Sequence, residues 1–518
     1  MTSSIGPELI PGEGATRVPS TPEHPAAPDE PVWGMGILGD MAPKELRLQL
    51  HRMAEWASEY RRTIEERSIV TSVPPGSIAA QLRATGWEEA APLQNVLDEF
   101  ERVVMPGIVH WGHPSFLGYF GSTSNGPALI GEIAAAALNV SAMTWRTSPA
   151  ATEMETVTLE WIRDLVGIPA EFFGVVYDTA SVATLHALAA AREMLGTDIR
   201  SRGLSGRNDL PTFRVYASDQ AHSSVRKAAI VLGIGEDNVV SIASDRDYRM
   251  DVVALRAAMD ADAARGERPL AVVATVGTTS TGSVDPVVKI SELCESRGVW
   301  LHVDAAYGGA LGALEEGRWA MEGTARADSI VINPHKWLFV PLDFSALYTR
   351  HAEALRSAFS LVPEYLRGDA ANSGSPDYMD YGIQLGRRFR ALKAWMVLRS
   401  FGRAGIASRI REHMRLARLF ASWVDDEPSF VRVAPLTMGI VCFRCRSNGL
   451  KAEEEDALNQ SIVENVNRGG RAYLTHTKLG GRIVMRVGLG NILTTEAHLA
   501  SAWTVIRDEA QRLGAAAR

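Results

Sequence analysis

Along the chain the apolar positions change their period, and the change divides it. Leu46, Leu50, Met53, Ala57 and Tyr60 recur every three or four residues behind Pro43, which predicts a helix with one apolar face that needs a cover. Gly76 to Pro106 reads as a second helical stretch between proline boundaries, and it leads into the aromatic segment His110-Trp-Gly-His-Pro-Ser-Phe-Leu-Gly-Tyr-Phe120. From Gly174 to Thr349 short β-rich runs alternate with helical ones: Gly174 to Tyr177, Phe213 to Ala217, Val239 to Ile242, Leu270 to Val276, Val299 to Val303 and Ser329 to Asn333. This alternation predicts an α/β fold with a mostly parallel central sheet wrapped by helices. After a helix around Arg390 to Phe401, strand-like runs at Val431 to Ala434, Met438 to Phe443 and Ile483 to Leu489 predict a smaller α/β lobe, closed by an amphipathic helix from about Ala497 to Leu513.

Composition narrows the function classes. The 518 residues are 46% hydrophobic and 22% charged, enough apolar material for several cores. A net charge of -8 offers no footprint for a phosphate backbone or an anionic membrane surface, so nucleic acid is not an expected partner. No run approaches the ~18 consecutive apolar residues of a membrane span. Cys294, Cys442 and Cys445 are a sparse, odd set that suits a reducing, cytoplasmic setting. The pair Cys442-x-x-Cys445 lies in an apolar run with no second ligand pair, which reads as a buried strand and not as a metal site. Met1 to Pro31 holds seven prolines among Ser, Gly and Glu and is expected to be a disordered tail.

Candidate chemistry gathers where the strands end, which is where ligands bind in open α/β sheets. Ile332-Asn-Pro-His-Lys336-Trp sets a lysine just past a strand, hemmed in by Asn, Pro, His and Trp. A desolvated lysine there is a usable neutral amine for imine formation, whereas a surface lysine would be inert. Val299-Trp-Leu-His-Val-Asp304-Ala-Ala ends an apolar strand on a carboxylate followed by small residues with room for a flat ring. A metal or a helix cap are alternatives, but no metal-spaced set surrounds Asp304, and pairing with a pyridine nitrogen is the better reading. Thr179-Ala180-Ser181 opens a helical run, which by itself is usually just an N-cap and gains weight as a phosphate setting only beside Lys336. His222, in Ser218-Asp-Gln-Ala-His222, again follows a strand, where a lone histidine is more often a plain hydrogen-bonded residue.

Asn333-Pro-His-Lys-Trp337, His302-Val-Asp-Ala-Ala-Tyr307, Ala274-Thr-Val-Gly-Thr-Thr279 and Leu385-Gly-Arg-Arg-Phe-Arg390 together resemble the motifs, in order, of the pyridoxal-phosphate-dependent group II decarboxylases, closest to those acting on aromatic L-amino acids. The likeness runs from about Met41 to the C-terminus. It implies a fold type I homodimer in four parts: a tail over 1–36, a dimer-swapped helical arm over 37–125, a large cofactor domain over 126–393 and a small domain over 394–518. Lys336 would carry the cofactor, Asp304 meet its ring nitrogen, His222 stack on the ring and Ala306 pack beneath it. Ala180, Ser181, Asn333 and His335 would hold the phosphate, with Thr279 near the ring hydroxyl. Tyr365, on a loop, would return the proton to Cα, which favours simple decarboxylation over the aldehyde synthesis of related enzymes that carry phenylalanine there.

For the substrate side chain the resemblance implies Tyr119, Phe120, Ser122, Ser141, Met143 and Gly386. Ser141 and Met143 depart from the isoleucine and phenylalanine of animal catechol enzymes, and Ser122 replaces a threonine. Gly386 resembles members that accept indolic or catecholic rings. Tryptophan therefore ranks first as substrate, ahead of phenylalanine, tyrosine and dihydroxyphenylalanine. A decarboxylating aldehyde synthase, or a silent protein on the same fold, are the alternatives.

Overall fold

The computed structural model describes residues 40–361, 374–447 and 449–516 and divides the chain into two units, Met1–Ile64 and Glu65–Arg518. In the first unit the helix Pro43–Arg62 forms as its period predicts, with proline in its first turn. Leu46 and Leu50 on it are exposed. The tail expected over 1–36 lies outside the described residues.

In the second unit seven strands make the main sheet: β1 (Phe173–Tyr177), β2 (Phe213–Ser218), β3 (Val239–Ile242), β4 (Arg268–Thr275), β5 (Trp300–Asp304), β6 (Ser329–Ile332) and β7 (Ser345–Thr349), in the order β1-β7-β6-β5-β4-β2-β3. Neighbours from β6 through β3 pair in parallel, and β7 runs antiparallel to both β6 and β1. Six strands thus share one direction and one carboxyl edge. They are the six runs whose alternation predicts them. β7 escapes that pattern because no helix longer than one turn separates it from β6. Both faces of the sheet are covered, so β5 through β7 are buried at every position, as sandwiched strands are.

A second sheet is fully antiparallel, in the order β10-β11-β9-β8, from β8 (Phe430–Arg432), β9 (Ile440–Cys445), β10 (Thr475–Leu479) and β11 (Arg482–Gly488). β10 is missed by hydrophobic pattern because Thr-His-Thr-Lys-Leu lies on an edge, half open to water. Gly480 and Gly481, with φ of 56° and 77°, supply the two left-handed residues that a two-residue hairpin between Leu479 and Arg482 requires. The helical stretch Ala391–Asp426 is two helices joined at a kink, where Gly402 takes φ of 62°: Ala394 and Val397 before it pack with the main sheet, Leu416 and Phe420 after it with the small one.

The helical stretch expected over 76–106 is divided. It forms helices Ser77–Thr85 and Leu93–Glu99, the second running into a π-helical turn, because Gly86 takes φ of 75° and Pro92 caps the next start. Downstream, the chain threads into the small lobe: Leu117 donates to the Tyr473 carbonyl, and Phe116 stacks on the Tyr473 ring at 4.7 Å.

Candidate active site

The carboxyl edge collects the expected cofactor residues. Lys336 sits in the one-turn helix Pro334–Trp337 after β6, Asp304 is the last residue of β5, Ala306 follows it, Thr279 follows β4 and His222 follows β2. Ala180 and Ser181 begin the helix Ala180–Glu193, just after β1. Because β1 runs with the parallel set, this helix start opens on the same edge.

Asp304 is buried, and its Oδ1 accepts the Ala306 N–H at 3.1 Å. Lys336 is half-buried, its Nζ 4.5 Å from the centroid of Phe120. Desolvation pulls its amine below the ordinary lysine range, Asp304 opposes that, and Arg486 adds to it. A larger share of neutral amine is the result, which is what nucleophilic use of a lysine needs. His222, partly open to solvent, is lowered by desolvation first, with Lys336 and Lys227 adding and Asp304 opposing. Its Nδ1 accepts the Ser224 N–H at 3.1 Å, which leaves the ring proton on Nε2.

A phosphate has donors waiting. Thr179 occupies the N-cap position but caps nothing: its hydroxyl and its N–H both turn to Asp178 Oδ1. The first-turn amides of Ala180 and Ser181 therefore face out without a side-chain acceptor, the arrangement in which helix starts bind anions. Asn333 is buried, its amide oxygen taken by the Ser345 hydroxyl at 2.6 Å. His335 is held neutral, near about 3, chiefly by burial with Lys336 adding. Its Nδ1 accepts the Phe344 N–H at 3.1 Å, so Nε2–H is left as a donor. Thr279 is exposed at the turn, whereas its neighbour Thr278 is buried against Thr281.

One residue here was not foreseen. Arg486, on β11, is buried without a carboxylate partner: Nε donates to the Ser280 carbonyl at 3.1 Å, Nη1 to the Tyr119 carbonyl at 2.6 Å, and Nη2 to nothing among the described residues. Its guanidinium lies 4.8 Å from the Phe120 centroid, the ring that Lys336 also meets. The Tyr307 hydroxyl, on the ring packed against Phe120 at 4.4 Å, is a second buried polar atom with no hydrogen-bond partner among the described residues. Unpaired buried donors of this kind mark a place built for a polar guest. The signal in sequence is an arginine set inside the apolar strand Ile-Val-Met-Arg-Val-Gly.

The expected substrate residues divide. Phe120 lies against Lys336, whereas Tyr119, at φ of 52° and exposed, stacks on Trp111 at 5.2 Å. Ser122 is half-buried beyond them. Ser141, Met143 and Gly386 gather around Arg387: the Arg387 N–H reaches Ser141 Oγ at 3.3 Å, and the Met143 carbonyl accepts the Met379 N–H at 3.0 Å. Gly386 is exposed, with nothing within 4 Å of where a Cβ would stand. Tyr365 lies outside the described residues. The buried-strand reading of Cys442 and Cys445 is borne out: both sit in β9, three apart, and so belong to different cores.

The residues present thus fit pyridoxal phosphate: a desolvated lysine, a strand-end carboxylate, small residues at Ala305 and Ala306, and open phosphate donors. Comparison with known proteins agrees. Residues 75–446 match the family described as pyridoxal-dependent decarboxylase conserved domain. Tryptophan decarboxylase 1 of Oryza sativa subsp. japonica is 38% identical over 89% of this chain and 93% of that protein. Phenylacetaldehyde synthase of Arabidopsis thaliana is 36% identical over 92% of this chain and 98% of its own. The crystal structure of Oryza sativa TDC with PLP and tryptamine superposes with a TM-score of 0.87 at 36% identity, covering 91% of this chain and 99% of that one.

Proposed function

The chain belongs to the pyridoxal-dependent decarboxylases, a fold type I family, and on that premise we propose that it decarboxylates an aromatic L-amino acid, tryptophan before phenylalanine, tyrosine or dihydroxyphenylalanine, to the arylalkylamine and carbon dioxide. The observation that carries this reading is that Lys336 and Arg486, the latter with Nη2 unpartnered among the described residues, both face the Phe120 ring, while Asp304 acts on the charge of Lys336.

Bound pyridoxal phosphate supplies an electron-accepting ring that stabilises negative charge at the substrate Cα. Lys336 offers the neutral amine that holds the cofactor, and Asp304 keeps a proton on the ring nitrogen. Ala180, Ser181, Asn333 and His335 Nε2–H would donate to the cofactor's phosphate, and His222, Ala306 and Thr279 would hold its ring. Arg486 Nη2 receives the α-carboxylate in a buried site, where a charge-assisted hydrogen bond is strongest. Phe120 and Tyr307 form the apolar wall that excludes water. Tyr365 returns a proton to Cα.

The active form in this reading is a homodimer. Leu129, Ile130, Ile133 and Leu138 are exposed along the helix Gly126–Leu138, and Val140 continues the patch. A contiguous apolar face of this kind marks an interface. Ser141 and Met143 follow it directly, so with Gly386 they serve the substrate pocket across the contact. No helix among the described residues is long and apolar enough to cross a membrane. The cytoplasmic placement rests on the three free cysteines.

Incubation of the purified, cofactor-loaded chain with aromatic L-amino acids, with products identified by mass, tests the assignment. Amine without oxygen uptake is expected. Aldehyde with ammonia, peroxide and oxygen uptake would instead establish the second reading, which the likeness to phenylacetaldehyde synthase favours.

A further inference from the structure

Trp337 follows Lys336 directly and is fully buried, so the contacts that fix its indole also fix the turn that presents the lysine. Its ring stacks on Tyr307 with centroids 4.8 Å apart and planes 13° apart, and Tyr307 meets Phe120. Gly439 closes another side: a Cβ there would stand 3.1 Å from Trp337 Cζ2 and 3.0 Å from the Tyr307 hydroxyl. The indole N–H donates to His413 Nδ1 at 2.9 Å.

His413 projects from the helix Ala391–Asp426, 3% exposed, and both its ring nitrogens are committed. Because Nδ1 accepts from the indole, the ring proton sits on Nε2, which donates to the Asn491 carbonyl at 3.0 Å. Burial holds the imidazole neutral, near about 4, and only the neutral ring can accept on one side while donating on the other. The Asn491 side chain donates in turn to the carbonyls of Gly112, at 3.0 Å, and His113, at 2.8 Å. Its backbone closes on Gly121, where a Cβ would lie 3.1 Å from the Asn491 nitrogen. These contacts grip the segment that carries Phe120 on either side of it.

The result is a closed circuit through parts of the chain far apart in sequence: Trp337 to His413 to Asn491, onto the 112–121 segment, from Phe120 to Tyr307 and back to Trp337. We propose that His413 is a positioning residue for the decarboxylation, bridging Trp337 to Asn491 so that the Lys336 turn and the Phe120 segment keep one fixed relation. The inference rests on Lys336 as the cofactor-bearing lysine. It assigns to His413 no contact with substrate. It also explains why a histidine stands deep in an apolar helix face.

The test compares holoenzyme carrying His413→Leu, His413→Gln, Trp337→Phe and the double variant Trp337→Phe/His413→Leu. The readouts are kcat and KM for L-tryptophan, visible circular dichroism of the bound cofactor, and the pyridoxal phosphate dissociation constant. His413→Leu should lower kcat about tenfold or more, with a smaller change in KM and an altered dichroic signal, as expected for misplacement of a reacting group. His413→Gln, whose carboxamide also accepts and donates, should restore most of kcat and the wild-type signal. Trp337→Phe keeps the stack but loses the N–H, so it should resemble His413→Leu, and the double variant should be no worse than either. Wild-type kcat and dichroism in His413→Leu, equal damage in the Gln and Leu variants, or additive losses would overturn the proposal. Should His413→Leu fail to fold, the Gln and Phe variants decide the matter by the same readouts. If the wild-type chain turns over no aromatic amino acid, the substrate reading fails alone, and the dichroism and cofactor affinity still decide on His413.

Discussion

Arg387 and Arg486 are both buried, and each guanidinium lies 4.8 Å from an aromatic centroid, Tyr378 for one and Phe120 for the other, yet they are bonded in opposite ways. Arg387 grips both oxygens of Glu155, at 2.6 and 3.0 Å, and the carbonyls of Ala142 and Val176, each at 2.9 Å. Among the described residues Arg486 has two carbonyls, no carboxylate and one nitrogen with no partner. A buried ion pair with both terminal nitrogens doubly bonded locks scaffold, tying the strand end at Val176 to the segments around Ser141 and Gly386. A buried cation that lacks its anion is incomplete until a ligand supplies one. Charge and burial alone do not separate the two. The partner does.

The contrast can be broken most severely at Arg387. Arg387→Met leaves Glu155 charged and buried, and the loss of one partner from such a pair costs about 3–5 kcal/mol, to be read as a fall in chemical-denaturation stability. Arg486→Met should do the reverse. Removing a lone buried cation spares the fold, so denaturation stability should hold or rise, while kcat/KM should fall roughly 10- to 100-fold, the ~1.5–3 kcal/mol of one charge-assisted hydrogen bond. If Arg486→Met unfolds the chain, or leaves kcat/KM intact, Arg486 is scaffold like its counterpart. Replacement of both Arg387 and Glu155 by apolar residues should recover most of the stability that Arg387→Met loses.

A smaller effect concerns protons. Burial holds His186 and His335 near about 3 and His302 and His413 near about 4, with Lys336 and Lys393 adding at His335 alone, while Asp304 opposes at His302 and Glu412 at His413. Their folded values lie below the unfolded one of ~6.5, so the unfolded chain binds more protons between these limits. The stability these neutral rings contribute is therefore complete above about pH 6.5 and drains away as the pH falls toward 4. Thermal midpoints measured from pH 8 to pH 4.5 should decline steadily below pH 6.5, and His413→Gln should flatten that decline. A flat profile in the wild-type chain would mean these histidines are protonated in the fold.

What sequence could reveal follows the same division between local and distant. The six parallel strands and the residues just past them, Lys336, Asp304, His222 and Ser181, are legible because strand ends and the chemistry after them are local patterns. Arg486 was not, since its significance lies in a missing partner, and an absence has no local pattern. The Arg387–Glu155 pair spans 232 positions, beyond the reach of any periodicity. Tyr119 and Phe120 read as one unit in sequence, but the left-handed backbone at Tyr119 sends the two rings to different neighbours. The edge strand β10 and the antiparallel β7 are lost for a related reason: exposure or the lack of an intervening helix removes the alternation that marks the others.

All of this turns on which lysine holds the cofactor. Loading the chain with pyridoxal phosphate, reducing it with borohydride and mapping the modified peptide by mass answers that directly. A phosphopyridoxyl group on Lys336 alone is expected, with no visible cofactor absorbance or turnover in Lys336→Ala. Modification at another lysine, or a Lys336→Ala chain that stays yellow and active, would contradict it.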